Sequence, residues 1–203
     1  PRERAVFSLG TLPDDAGKRW RAEDLASRLE ALLDGGTMTY SSAGRALGEQ
    51  PNRLRYAAAT GRVLVRWDGA RKPTVWTVPR PEVDPRDARL ELARRYLHVV
   101  GPATPEGFAG WAGIVPGRGR DAFAALGRSI VPVRTPLGEA WILARDELAF
   151  RDDPAFRDDP APRAPAPSAP TGPARLLPSG DPYLMAGDRE LLVPDAGRRR
   201  ELW

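Results

Sequence analysis

Gln50, Asn52, Arg53 and Arg55 fall within six residues, in Gln50-Pro51-Asn52-Arg53-Leu54-Arg55. These are the side-chain types that pair with nucleic acid. Arginine holds phosphates and forks onto guanine edges, and an amide reads adenine. Further on, Arg71 and Lys72 sit in the turn Asp68-Gly69-Ala70-Arg71-Lys72-Pro73, whose tip would carry two cations to a phosphate backbone. Over Arg45–Arg80 eight basic residues face two acids, Glu49 and Asp68. The competing explanation is a solvated face in a chain rich in Arg, Ala, Gly and Pro. Composition explains a net charge of +4, but it does not explain local clustering.

Other chemistries are narrowed by what the chain lacks. With no Cys and one His, His98, thiolate nucleophiles, disulfides and His-cluster zinc sites are excluded. A Ser-His-Asp hydrolase would have to use His98, and no nucleophile turn lies near it. No apolar run approaches the ~18–20 residues of a membrane span, and no signal-peptide pattern is present. A cytoplasmic protein without metal or cofactor is expected. The chain opens at Pro1 and closes at Trp203 in Arg-Arg-Arg-Glu-Leu-Trp, which reads as a piece of a longer protein.

The elements that would position the basic cluster follow from periodicity. Leu25, Ala26, Leu29, Leu32 and Leu33 mark an amphipathic helix over Ala22–Leu33, stopped at Gly35. Ser41 or Ser42 can cap a second helix ending at Gly48. Pro51 suits the first turn of a third, closed by Gly61. Val63, Val65 and Trp67 then alternate as a strand, and Thr74–Pro79 returns as its partner. Helix, short strand, helix, helix, hairpin is the order of a winged helix, in which the third helix enters the major groove and the wing touches the backbone.

The same order recurs at an offset of 65 residues, pairing Thr39 with Thr104, Gly48 with Gly113, Pro51 with Pro116 and Trp76 with Trp141. Arg53 and Arg55 align with Arg118 and Arg120. Over Gly110–Arg145 five basic residues face two acids, so the first unit is expected to be the stronger DNA reader. The fold expected is α+β. Tandem winged-helix (helix-turn-helix) domains at 22–80 and 85–146 follow an N-terminal segment, 1–21. A Pro/Ala/Asp-rich flexible linker, 147–173, comes next, with the doubled hexapeptide Phe-Arg-Asp-Asp-Pro-Ala inside it. The start of a small β-rich C-terminal domain, incomplete at 174–203, closes the chain. His98 is expected as a surface or capping residue at a helix C-terminus. Asp181 is expected as a turn residue. Trp67, Trp76, Trp111 and Trp141 are expected to pack in the cores, with Trp76 partly exposed.

The Arg-Tyr-Leu at 95–97, Gly-Pro-Ala-Thr-Pro at 101–105, Trp111-x-Gly113 after Phe108, and Leu176-Leu177-Pro178-x-x-Asp181-x-Tyr183 together resemble a specific family. It is the bacterial winged-helix DNA-binding domain family that includes the AlkZ-type interstrand-crosslink DNA glycosylases. The resemblance covers roughly Pro85 to Trp203 and implies tandem winged helices before a β-rich C-terminal domain. The family's enzymes use a Gln-x-Gln or Gln-x-Asp motif to position the attacking water. The lone Gln50 matches it neither in spacing nor in context, so no catalytic residue is assigned. The expected function is a DNA-binding protein related to DNA repair. It would grip double-stranded DNA through Gln50, Asn52, Arg53, Arg55, Arg71, Lys72, Arg118 and Arg120. The alternatives are a DNA glycosylase excising alkylated or crosslinked bases, and a protein-interaction scaffold. The oligomeric state stays open.

Overall fold

Two hydrophobic cores, each closed by helices and a small antiparallel sheet, divide the chain. The structure is a computed structural model that describes residues 2–67, 72–152, 193 and 195–202. The class is α+β.

The first core is built by helix α2 (Ala16–Leu33), strand β1 (Thr37–Thr39), helix α3 (Tyr40–Leu47), a 3₁₀-helix (Pro51–Thr60) and the hairpin β2–β3 (Val63–Arg66, Thr74–Thr77). Leu29, Leu54, Val63 and Val75 are its fully buried centre. The sheet order is β1-β3-β2, with Met38 opposite Val75 and Val65 opposite Val75 across the other edge. Helix α2 starts at Ala16, ahead of the expected Ala22, where the Asp15 carboxylate accepts from Lys18 N at 2.7 Å. Its first turns carry no buried side chain, so they left no apolar periodicity to read.

Two further expectations are corrected. Thr39, not Ser41 or Ser42, caps α3: it holds extended backbone angles and accepts from Ser42 N at 3.2 Å. The third helix is 3₁₀ rather than α, with i to i+3 bonds such as Arg53 N to Gln50 O at 2.9 Å. Three residues per turn stack positions i, i+3 and i+6 in columns. Leu54, Ala57 and Thr60 form the buried column, and the remaining positions face outward.

The second core contains helices α4 (Pro85–Val100), α5 (Pro105–Ala112) and α6 (Pro116–Leu126) and the hairpin β4–β5 (Ile130–Thr135, Gly138–Leu143). Leu92, Leu97, Phe108 and Phe123 fill it. Thr104 caps α5 by accepting from Gly107 N at 3.0 Å, and Gly113 ends it in the left-handed region, as Gly48 ends α3. Ala103 bridges Trp141, so the segment before α5 meets the second hairpin. The hairpins differ in the spacing of their strands. β4 and β5 turn directly through Pro136 and Leu137, whereas β2 ends at Arg66 and β3 begins only at Thr74.

Helix α1 (Arg2–Leu9), in the expected N-terminal segment, lies on α4: Val6 enters the second core, and Ala5 and Leu9 pack on Ala88. Arg95 bridges Glu3 and Glu91, and Arg89 fastens the turn after α1. Buried on α4, Arg89 donates to Gly10 O and Leu12 O, each at 3.1 Å, and lies 3.5 Å from Asp14. Glu147–Asp152, at the head of the expected linker, forms helix α7, and Ala196–Leu202 forms α8. The doubled hexapeptide opens within α7, at Phe150–Asp152, and its remainder, Asp181 and the strands expected near it lie outside the described residues.

Trp67 and Trp111 are exposed rather than packed in the cores. Trp67 meets Tyr40 edge-on at 6.3 Å, and Trp111 meets Tyr96 in a tilted contact at 5.0 Å. Their spacing marks the elements correctly, but each stands at the rim of its core.

Candidate nucleic-acid interface

Because the 3₁₀-helix repeats every three residues, its outward positions form two columns. Gln50, Arg53 and Tyr56 stand in one, Asn52 and Arg55 in the other, and all five are exposed. An α-helix would have advanced each step by 100° and fanned these side chains apart. The cost of the tighter helix is poorer hydrogen-bond geometry, which the buried column offsets through packing. Gln50 begins the helix but makes no side-chain capping bond, so its amide stays available.

Arg53, itself exposed, lies 3.8 Å from the half-buried Glu49, a loose pair. Arg55 has its guanidinium 5.3 Å from the centre of the Tyr56 ring. Hydrogen bonding to Arg55, and then its charge, hold the Tyr56 phenol below its usual range. Lys72 is exposed just ahead of β3, and Arg71 lies outside the described residues.

The remaining expected cations are engaged. Arg118 lies 3.1 Å from Asp14 and 3.3 Å from Asp121, and Arg120 lies 2.9 Å from Glu106. Arg62, counted within the basic cluster, turns inward to acids of α2, and Arg80, from the same cluster, pairs with one of them at the surface. Arg62 reaches Glu30 at 2.8 Å and Glu23 at 3.0 Å with its side chain only 15% exposed, and Arg80 meets Glu23 at 2.9 Å. The charge excess of Arg45–Arg80 is therefore smaller at the surface than the sequence window suggests. His98, the sole histidine, pairs with Asp146 at 2.8 Å and ties the end of α4 to the segment before α7. Among the described residues no helix is long and apolar enough to cross a membrane, and no three metal-ligating side chains gather.

Next to the 3₁₀-helix a groove of about 1260 Å³ runs between the two units. Arg53, Arg55 and Tyr56 line one side, the start of α2 another, and Ala112 and Gly113 of the second unit close it. Lys18, Trp20 and Arg21 bring a cation–aromatic–cation sequence into it. None of these three was singled out from the sequence. The alternation Lys18-Arg19-Trp20-Arg21 was the available signal, and it lies outside the helix that periodicity outlined. The groove's acids, Asp24 and Glu49, are both held by Arg28, at 3.7 and 3.1 Å.

A family model described as DNA glycosylase AlkZ-like matches residues 3–203. The chain belongs to the AlkZ-like DNA glycosylase family. Among solved structures, this AlkZ-like chain is similar to the Streptomyces sahachiroi DNA glycosylase AlkZ, with a TM-score of 0.52 and 16% identity. The match covers 73% of this chain and 49% of that one. The AlkZ-like chain thus spans about half the length of the structure it matches, and at that identity the likeness concerns the fold. No curated protein matches the chain. The whole-chain family match relates the chain to DNA repair.

Proposed function

We propose that these residues are the DNA-gripping part of a DNA glycosylase that acts on alkylated or crosslinked bases. In this reading the two helix–helix–hairpin units are tandem winged helices, spanning 22–80 and 85–146. Residues 147–173 connect them to a β-rich part that begins at 174. The observation that carries the DNA contact is the pair of outward columns on the 3₁₀-helix, which expose Gln50, Asn52, Arg53 and Arg55 together.

A glycosylase takes the target base out of the stack and hydrolyses its N-glycosidic bond with a positioned water. Gripping the flanking duplex supplies the binding energy for that distortion. Arg53 and Arg55 neutralise phosphates, and Gln50 and Asn52 face base edges at the N-terminal end of the helix, where its dipole also favours an anion. Arg71 and Lys72 take the backbone from the wing. Arg118 and Arg120 contribute less, since each already holds a carboxylate. With a single glutamine in the chain, the water-positioning pair of the family's enzymes has no counterpart among these residues.

A duplex titration over a salt series, run beside a base-release assay on alkylated DNA, tests the reading. Each neutralised phosphate contributes about −0.9 to the slope of log affinity against log salt, so four contacts give roughly −3 to −4. Binding with that slope and no base release by the 203-residue chain is expected. Salt-independent capture of a protein, with no DNA binding, would favour an interaction scaffold instead.

A further inference from the structure

Trp20 is 67% exposed and Tyr56 57% exposed, and both line the groove between the units. Phe7, also exposed, forms part of its wall. Large aromatic rings contribute most when buried, and several left in water around one concavity mark a surface that something covers. The cations among them narrow the occupant. Lys18, Arg21 and Arg55 line the same groove, with no carboxylate partner among the described residues. The acids present are held by Arg28, so the uncompensated charge is positive and the complementary occupant is anionic and aromatic.

We propose that this groove holds an unpaired DNA strand, with bases stacked on Trp20 and Tyr56 and phosphates held by Lys18, Arg21 and Arg55. A duplex hides its base faces within the stack, whereas an unpaired strand offers a π-face at every nucleotide. Stacking platforms threaded through a basic groove are the arrangement that exploits this difference. The inference rests on the 3₁₀ face being a DNA-binding surface and adds a second, strand-opened segment beside it. Tyr56 links the two, because it stands in the outward column with Gln50 and Arg53 and also lines the groove.

The test uses the whole 203-residue chain with two probes, a thymidine oligonucleotide and a blunt duplex of the same length, read by fluorescence anisotropy. Trp20→Ala is expected to weaken oligonucleotide binding about tenfold, Tyr56→Ala similarly, and Trp20→Phe much less. Trp20→Ala should leave duplex affinity within about twofold, and circular dichroism melts of these exposed-site variants should match the parent. Duplex binding without oligonucleotide binding would overturn the inference and leave the proposed function standing. Equal loss on both probes with Trp20→Ala would overturn it too, as would a chain dimer that Trp20→Ala dissociates. Failure to bind either probe would remove the reading on which it rests.

Discussion

The guanidinium of Arg118 on α6 lies 3.1 Å from the carboxylate of Asp14, just before α2, and buried Arg89 approaches the same carboxylate at 3.5 Å. One acid in the connection between the two cores thus faces a cation from each of two helices of the second unit. Arg118 aligns with Arg53 in the sequence, yet its charge serves the join between units.

The two arginines around Asp14 should separate in a stability measurement. Arg89→Ala leaves Gly10 O and Leu12 O without their donor, while Asp14 keeps Arg118, and should cost about 2–5 kcal/mol through the two orphaned carbonyls. Arg118→Ala removes a partly exposed pair and should cost under about 1 kcal/mol. Urea unfolding of both variants checks the contrast, which equal losses would contradict.

The surface and inward cations of the first unit should likewise divide by assay. Lys72→Ala should flatten the salt slope of duplex binding by about one unit and weaken all sequences alike. Arg62→Ala should leave that slope unchanged while lowering the melting temperature, because it removes hydrogen bonds to Glu23, Glu30 and Ser27. A salt slope altered by Arg62→Ala would mean that its side chain reaches DNA.

Tyr56 should titrate below an ordinary tyrosine, because Arg55 stabilises its phenolate by hydrogen bonding and charge. Difference absorbance between the parent and Tyr56→Phe isolates its ionisation. Replacing Arg55 with Met should return it to the usual range near 10. Since the shift lowers the pKa, added DNA phosphates that draw Arg55 away should raise it again.

Gly119 on α6 meets Pro105 O and Ala109 where α5 and α6 cross, leaving no room for a Cβ. Gly119→Ala should destabilise the chain by about 1–3 kcal/mol through overpacking. Gly44 plays the corresponding part in the first unit from the other helix of the pair, where a Cβ would stand 2.8 Å from Glu49 O. Thermal melts of both variants should show losses of similar size, and an unchanged melting point would mean the helices move apart freely.

The sequence by itself determined where the helices of both units stop, where the 3₁₀-helix, α5 and α6 begin, and which leucines of α2 enter the first core. Thr104, Gly48, Gly113, Pro51 and Pro116 are all read from backbone chemistry that is local to a few residues. Leu25, Leu29 and Leu33 are read from a period that one face of a helix imposes. The residues carrying the family resemblance were legible for the same reason.

What each cation does was decided only by the tertiary structure. Arg62, Arg80 and Arg118 look like Arg55 along the chain, but their acids come from α2 and from the Asp14 turn, remote in sequence and adjacent in space. The groove, too, exists only because α1 docks on the second core and brings the head of α2 and the 3₁₀-helix to face Gly113. Even the helix type was a tertiary matter. A period of three suits Leu54, Ala57 and Thr60 to the space left by α2 and the hairpin, and that packing turns Arg53, Arg55 and Tyr56 outward. Local chemistry fixes where a segment bends. Which charges remain for a partner depends on contacts between segments that no sequence window contains.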